Sequence, residues 1–276
     1  MYMKLKDGKS KVLTFSYDDG VVQDIRLTEI FNKHGLKATF NINTGLYLSE
    51  DVTREKMRGR LKRSEAIALY KNSGHEVAVH GLEHKFLSKL KSVEMVREVL
   101  EDRRNLEADF GTITRGMAYA YSDYNTEAIE ILKQCGIVYA RAVASTLRFS
   151  FPTDWWAIQP TCHHANENLM TLAERFVNTK PHYPTDNWLF YVWGHSYEFD
   201  DRDNWDVIER FAEYVGGKTD VWYATNIEIH DYVRAYEALI TDADASRVFN
   251  PTLIDVWVLE NGKTYRVGAG ETVTFS

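Results

Sequence analysis

Apolar positions along this chain come in two alternating patterns: short, dense runs, and longer stretches with helical spacing. Residues 13–18 (LTFSYD) form a β-branched and aromatic run that reads as a buried strand. Residues 24–34 then place Ile25, Leu27, Ile30 and Phe31 on one helical face, with Gly35 as the closing cap. Residues 36–42 return to strand. Ser64 caps a helix through Ile67 and Leu69 that Gly74 closes, and residues 75–80 make a third strand. A longer helix opens at Ser92, carries Val93, Val96, Val99, Leu100 and Leu106, and stops at Gly111. Residues 113–121 are the fourth strand, Asn125 caps the next helix, Gly136 ends it, and residues 137–143 are the fifth strand. The regularity lapses over 145–160, an aromatic stretch with Phe149, Phe151, Trp155 and Trp156. A helix over 167–177, a strand over 188–193 ending at Gly194-His195, a helix over 206–215, a strand over 221–225 and a last helix with Ile229, Val233, Tyr236 and Leu239 follow.

Seven strand-then-helix units in succession imply parallel strands joined by right-handed crossovers. The expected architecture is α/β: an incomplete, seven-stranded (β/α) barrel, with a doubly wound open sheet as the alternative. The tail changes character. Residues 253–259 and 263–267 are strand-like around an Asn261-Gly262 hairpin signal, and residues 272–275 add a third run. The expected division is therefore a barrel domain over 1–249 and a small antiparallel β appendage over 250–276. The appendage carries no clustered acids, histidines or nucleophiles, so stability or subunit contact in a homo-oligomer is its expected use.

Composition narrows the partners. With 276 residues and 44% hydrophobic content the chain can bury a large core, and 5 prolines with no Gly/Ser-rich run leave no flexible linker. A net charge of -7 and a pI near 5.7 disfavour nucleic acid and anionic membrane, both of which reward basic patches. No window is apolar enough to span a bilayer. MYMKLKDGKSK has charge but no apolar centre and is not a secretory signal, so the expected location is the cytoplasm, a trimmed export signal being the other reading. Two cysteines, Cys135 and Cys162, make no disulfide framework.

In parallel α/β folds the functional groups gather where strands end, and three candidates fall there. Asp18 and Asp19 end the first strand before Gly20, His80 ends the third, and His195 ends the sixth. Two anions at the end of a buried strand need a cation beside them; one can bind a metal while the other works as a base. His84 follows His80 by four residues, so the two rings converge on one ion if the segment makes a helical turn. Imidazoles with a carboxylate suit zinc or a similar divalent metal. Cys162-His163-His164 is a second cluster whose side chains diverge in a strand, while a loop would place His163 or His164 in the substrate cleft. Glu198, Asp200 and Asp201 read as a solvated acidic loop.

These residues resemble a known family, the polysaccharide deacetylases of carbohydrate esterase family 4, over residues 13 to 240. The family's first motif, Thr-Phe-Asp-Asp-Gly, matches Ser16-Tyr17-Asp18-Asp19-Gly20; its second, His-Ser/Thr-x-x-His, matches His80-Gly-Leu-Glu-His84; its fifth matches the strand end at His195. The resemblance implies Asp18 as general base, Asp19, His80 and His84 as metal ligands, and His195 as general acid. The cofactor implied is a divalent metal, zinc first and cobalt, nickel, iron or manganese after it. The activity implied is removal of N- or O-linked acetyl groups from a sugar or oligosaccharide. Hydrolysis of a small amide or cyclic ureide at the same site is the alternative, and a non-catalytic carbohydrate-binding barrel is the third reading. Two motifs depart from the pattern. The third, Arg-x-Pro-Tyr, appears as Ala118-Tyr-Ala-Tyr121, leaving Tyr121 for the oxyanion role and no arginine in register to orient the base. The fourth is matched to Asp154-Trp155, with Trp155 or Trp156 as a pocket wall, and His164 of the second cluster is a further candidate substrate contact. Gly81 replaces a hydroxyl residue, which removes one hydrogen bond that would support the ligand loop.

Overall fold

The computed structural model of the chain describes residues 1–53 and 59–276. The first half runs β1 (Tyr2–Lys4), β2 (Lys11–Asp18), α1 (Asp24–Lys33), β3 (Ala38–Ile42), α2 (Arg63–Tyr70), β4 (Glu76–Val79), α3 (Ser92–Phe110), β5 (Gly116–Ala118), α4 (Thr126–Gln134) and β6 (Tyr139–Arg141). The second half adds β7 (Cys162–His163), α5 (Leu169–Asn178), β8 (Trp188–Gly194), α6 (Tyr197–Asp201), α7 (Trp205–Val215), β9 (Val221–Tyr223) and α8 (Asn226–Glu237). Five short strands close the chain: β10 (Ile240–Thr241), β11 (Arg247–Phe249), β12 (Val256–Glu260), β13 (Lys263–Val267) and β14 (Thr272–Thr274).

The barrel sheet is parallel throughout, in the order β6-β5-β4-β3-β2-β8-β7, with β9 also paired to β2. β8 covers one whole edge of β2, from Lys11 to Tyr17. The other edge is shared: its first residues pair with β9 and its last with β3. Between β6 and β7 the wall is irregular. Segment 145–160 seals it, with Ala140 N donating to Trp155 O (2.7 Å) and Ala142 N to Ile158 O (2.8 Å). The incomplete barrel expected from the alternation is the fold observed.

Some elements differ from expectation. The fourth and fifth strands shorten to β5 and β6; just beyond β5, Tyr121 and Ser122 adopt positive φ and turn the chain away. β7 is a barrel strand of only two residues, too short to register as a periodic run. Ser64 lies inside α2 rather than capping it, Lys62 holding the cap position. Asn125 does cap α4, its side chain accepting from Ala128 N at 2.8 Å. The tail forms two small sheets, β1-β12-β13 and β10-β11-β14, which take strands from both sides of the boundary expected at 249/250.

Every residue of β2 is buried, and its two faces differ in chemistry. Leu13, Phe15 and Tyr17 face the main core beneath the helices. The alternate positions Thr14, Ser16 and Asp18 face the barrel axis, as the period of two requires. That axis is polar. Near the strand starts, half-buried Glu76 accepts from Tyr139 Oη, Thr39 Oγ1 and Ile227 N, and desolvation of its carboxyl lifts its pKa to about 7. Further up, Asn41 Nδ2 donates to Ser16 Oγ and to Asp18 Oδ1, both at 2.8 Å. A hydrogen-bonded column therefore leads to the mouth of the barrel, where Asp18 sits.

Candidate functional site

The strand ends bring Asp18, Asp19, His80, His84 and His195 together at one mouth of the barrel. Asp19 takes a positive φ of 88°, rare for a residue other than glycine, and Gly20 follows at 62°. That double turn carries the Asp19 carboxylate back over the strand end. His80 and His84 are joined by a turn rather than a helix, with His84 at φ 57° and the two rings 4.8 Å apart. Asp19, His80 and His84 each offer a ligand atom, and all three atoms lie within 4.8 Å of one another.

The loop bearing the two histidines is held from three sides. Asn43 Nδ2 donates to His80 O (2.8 Å) and Gly81 O (2.6 Å), Glu83 N donates to Glu98 Oε2 (2.9 Å), and His80 N donates to Asp102 Oδ2 (3.1 Å). Gly81 has a φ of +84°, so the missing hydroxyl is exchanged for a bend that favours glycine. Buried Asp24 staples the two turns that carry Asp19 and His195, accepting from Val21 N after Asp19 and from Ser196 Oγ after His195. Burial raises both Asp24 and Asp102 to about 7.

The protons on the imidazoles follow from their partners. His80 Nδ1 lies 2.8 Å from the Ala118 carbonyl, which can only accept, so Nδ1 carries the hydrogen. Burial pulls the His80 pKa below its usual value, so the ring is neutral and Nε2 is a bare lone pair. That lone pair is buried without a hydrogen-bond partner and faces Asp19 Oδ1, another buried acceptor without one, at 3.8 Å. His84 Nε2 lies 3.6 Å from the same oxygen, and burial with His80 beside it lowers its pKa to about 4. Arg60 Nη2 lies 2.9 Å from Asp19 Oδ1, yet the His80 lone pair facing that oxygen still has no donor, an arrangement that a bound cation relieves. The residues fit a divalent metal.

Asp18 Oδ2 also lies 3.9 Å from His80 Nε2, but its carboxylate is bound by an arginine that sequence reasoning missed. Burial would raise its pKa, but the Arg141 guanidinium, with His80 and His195 nearby, brings it down to about 2. Arg141 is fully buried at the end of β6, reaches Asp18 Oδ1 at 2.6 Å, and lies over the Trp193 ring at 4.7 Å. β6 pairs with β5, so Arg141 stands directly across from Ala118, the start of the departed third motif. The arginine that binds Asp18 comes from one strand over. A signal existed: Arg141 is a lone charge inside a run otherwise apolar, which demands a buried anion.

His195 has its own carboxylate. Nδ1–H donates to Glu198 Oε1 at 2.8 Å, leaving Nε2 toward Asp18 Oδ2 at 3.9 Å. Burial opposes charge on this ring, yet the Glu198 hydrogen bond and the two aspartates outweigh it and raise its pKa. The expected solvated loop is instead α6, and its first turn places Glu198 three residues from His195, on the same side. Glu198 also has His163 Nε2 and His164 Nε2 at 3.4 Å and Arg202 Nη2 at 3.0 Å. His163 Nδ1 accepts from Ala165 N (3.1 Å), so its Nε2 bears the proton and is a donor to Glu198, not a metal ligand. The second cluster gathers around Glu198, behind His195. In Glu198→Gln the support for imidazolium is lost, so the His195 pKa falls. Turnover that needs protonated His195 then fails at a lower pH, and the basic limb of the pH–rate profile shifts toward acid, with a kcat loss of about tenfold or more. An unmoved limb would free His195 from Glu198.

The remaining expected residues divide. Tyr121 is 58% exposed at the rim, its ring 4.5 Å from His84 and stacked 4.0 Å from Phe86. His164 is only 2% exposed, packed between Tyr17 and Phe199 against Gly194, where a Cβ would come within 2.0 Å of its Nδ1. It does not line the open side. Asp154 and Trp155 are not at the mouth either. Asp154 accepts from Trp156 N, and Trp155 is buried in the lower interior, 4.9 Å from His230. Sealing the β6–β7 seam turns that segment inward.

The chain is thus an incomplete parallel (β/α) barrel with an Asp-His-His cluster and a separate arginine-bound aspartate at its mouth. Residues 5–140 match the profile of the polysaccharide deacetylase family and are a domain of that kind. No curated protein sequence matches it. Among solved structures it is similar to a putative polysaccharide deacetylase from Mycobacterium smegmatis, at 16% identity and a TM-score of 0.56, with 86% of this chain and 94% of that one covered. A family 4 carbohydrate esterase from Streptomyces lividans, in complex with acetate, aligns at 14% identity and a TM-score of 0.51 over 77% of this chain and 91% of that one. A pseudoenzyme of carbohydrate esterase family 4 from Bacillus anthracis aligns at 16% identity and a TM-score of 0.50, over 83% and 67%. The chain spans 61% of the length of a deacetylase from Streptococcus pyogenes. Esterase and pseudoenzyme share the fold, so activity must be argued from the site.

Proposed function

We propose that this chain is a metal-dependent hydrolase that removes acetyl groups from a carbohydrate. The observation that carries the reading is the unprotonated Nε2 of His80 facing Asp19 Oδ1 at 3.8 Å, both buried and both without a hydrogen-bond partner. Asp19, His80 and His84 are the ligands, and three protein ligands suit a catalytic zinc site. A divalent cation bound there supplies polarisation of the acyl oxygen and acidification of a water. Asp18 takes the water's proton: its carboxylate is ionised throughout the neutral range, and Arg141 and Asn41 fix its orientation. His195 carries the second proton at Nε2 and gives it to the departing amine or alkoxide, while Glu198 steadies the charge on the ring. Tyr121 borders the acyl group at the rim.

The test pairs metal content of the purified protein with acetate release from acetylated chito-oligosaccharides and acetylated xylan. The expected outcome is one metal per chain with acetate released, and loss of the metal in His80→Ala. Metal without acetate would move the activity to a small amide. No metal after reconstitution would remove the Asp-His-His assignment and the mechanism with it.

A further inference from the structure

Asp19 has a cationic neighbour of its own. Residues 59–61 are laced to the turn after β2: Arg60 bridges to Val21, and Leu61 N donates to Gly20 O at 2.9 Å. This brings Arg60 Nη2 to 2.9 Å from Asp19 Oδ1, while Nη1 donates to the Asp19 carbonyl and, at 3.0 Å, to Asn43 Oδ1. The oxygen concerned is the one that faces His80 and His84. The approach to Oδ1 is not aligned as a hydrogen bond. The guanidinium therefore supplies charge to this oxygen, while the aligned bonds go to Asp19 O and Asn43.

We infer that Arg60 is the resident counter-charge of Asp19 and sets the affinity of the metal centre, a deepening that rests on the function proposed above. Asp19 is largely buried, and an anion there needs compensation whenever no metal is bound. Arg60 provides it, and the same positive charge then opposes an arriving divalent cation. One carboxylate oxygen is shared between two cations. The consequence is a centre that binds its metal more weakly than its three ligands alone would, and that exchanges it. Asn43 ties the device to the ligand loop, since its Oδ1 accepts from Arg60 while its Nδ2 holds the carbonyls of His80 and Gly81.

The experiment is a competition titration of the full chain, stripped of metal, against a chromogenic zinc chelator, for wild type, Arg60→Gln and Arg60→Lys. Gln keeps a donor for the Asp19 carbonyl and removes the charge; Lys keeps the charge. Repulsion between a fixed guanidinium and a divalent ion a few ångströms away, in a partly solvated site, is worth on the order of tenfold to a hundredfold in Kd. Arg60→Gln is expected to bind zinc at least about tenfold more tightly than wild type, and Arg60→Lys to stay within about threefold of it. Unchanged or weaker binding by a folded Arg60→Gln, or equal tightening by Arg60→Lys, overturns the inference while leaving the metal reading intact. A wild type that binds no zinc removes the metal reading itself.

Discussion

Asp18→Asn stops turnover while the protein keeps its metal. The expected fall in kcat is about 10²–10⁴-fold, the range a positioned general base supplies. The proposed ligands Asp19, His80 and His84 are untouched, because the hydrogen bonds of the Asp18 carboxylate go to Arg141 and Asn41. Asn preserves an oxygen for the Arg141 guanidinium, so the barrel mouth keeps its shape, although a buried charge pair has become a charge–dipole pair. Acetate release and metal stoichiometry, measured on the same folded sample, decide the matter. A variant with full rate would take the role of base away from Asp18.

The second large effect is on stability. Arg141→Met replaces the guanidinium with an apolar side chain of comparable length and leaves Asp18 buried without its cation. Breaking a buried pair by removing one partner costs about 3–5 kcal/mol. The pair lies deep: Arg141 is fully buried and Asp18 nearly so. The double variant Asp18→Asn/Arg141→Met carries no buried charge at these positions, so its loss is expected to be well below the sum of the two single losses. Urea unfolding of all four proteins at neutral pH closes the cycle. Additive losses would mean that the two side chains do not act as a pair.

Much of this protein is written in local pattern. The alternation of dense apolar runs with helical spacing predicts the strand–helix order, because a buried parallel strand and a crossover helix have different periods. Asp18, Asp19, His80 and His195 could be grouped before any coordinates because each follows a strand, and parallel strands end on one face. Very short elements escaped: β7 has two residues, a single strand period, and α6 is a five-residue turn of helix just after His195.

The partners of those residues are another matter. Arg141 meets Asp18 across 123 positions of sequence, and no periodicity within either strand names the other. Register decides it, by setting β6 beside β5 so that Arg141 stands where a departed motif left a vacancy in role. The turn into α6 sets Glu198 against His195, and the lacing of residues 59–61 to the Asp19 turn sets Arg60 against a ligand oxygen. Trp155 shows the converse: its motif pointed to the cleft, but the open seam between β6 and β7 had to be covered, and closing it buried the ring. Side-chain chemistry and spacing settle which groups stand at the mouth of this barrel. Their charges are balanced by contacts between segments far apart in the chain, and only packing brings those segments together.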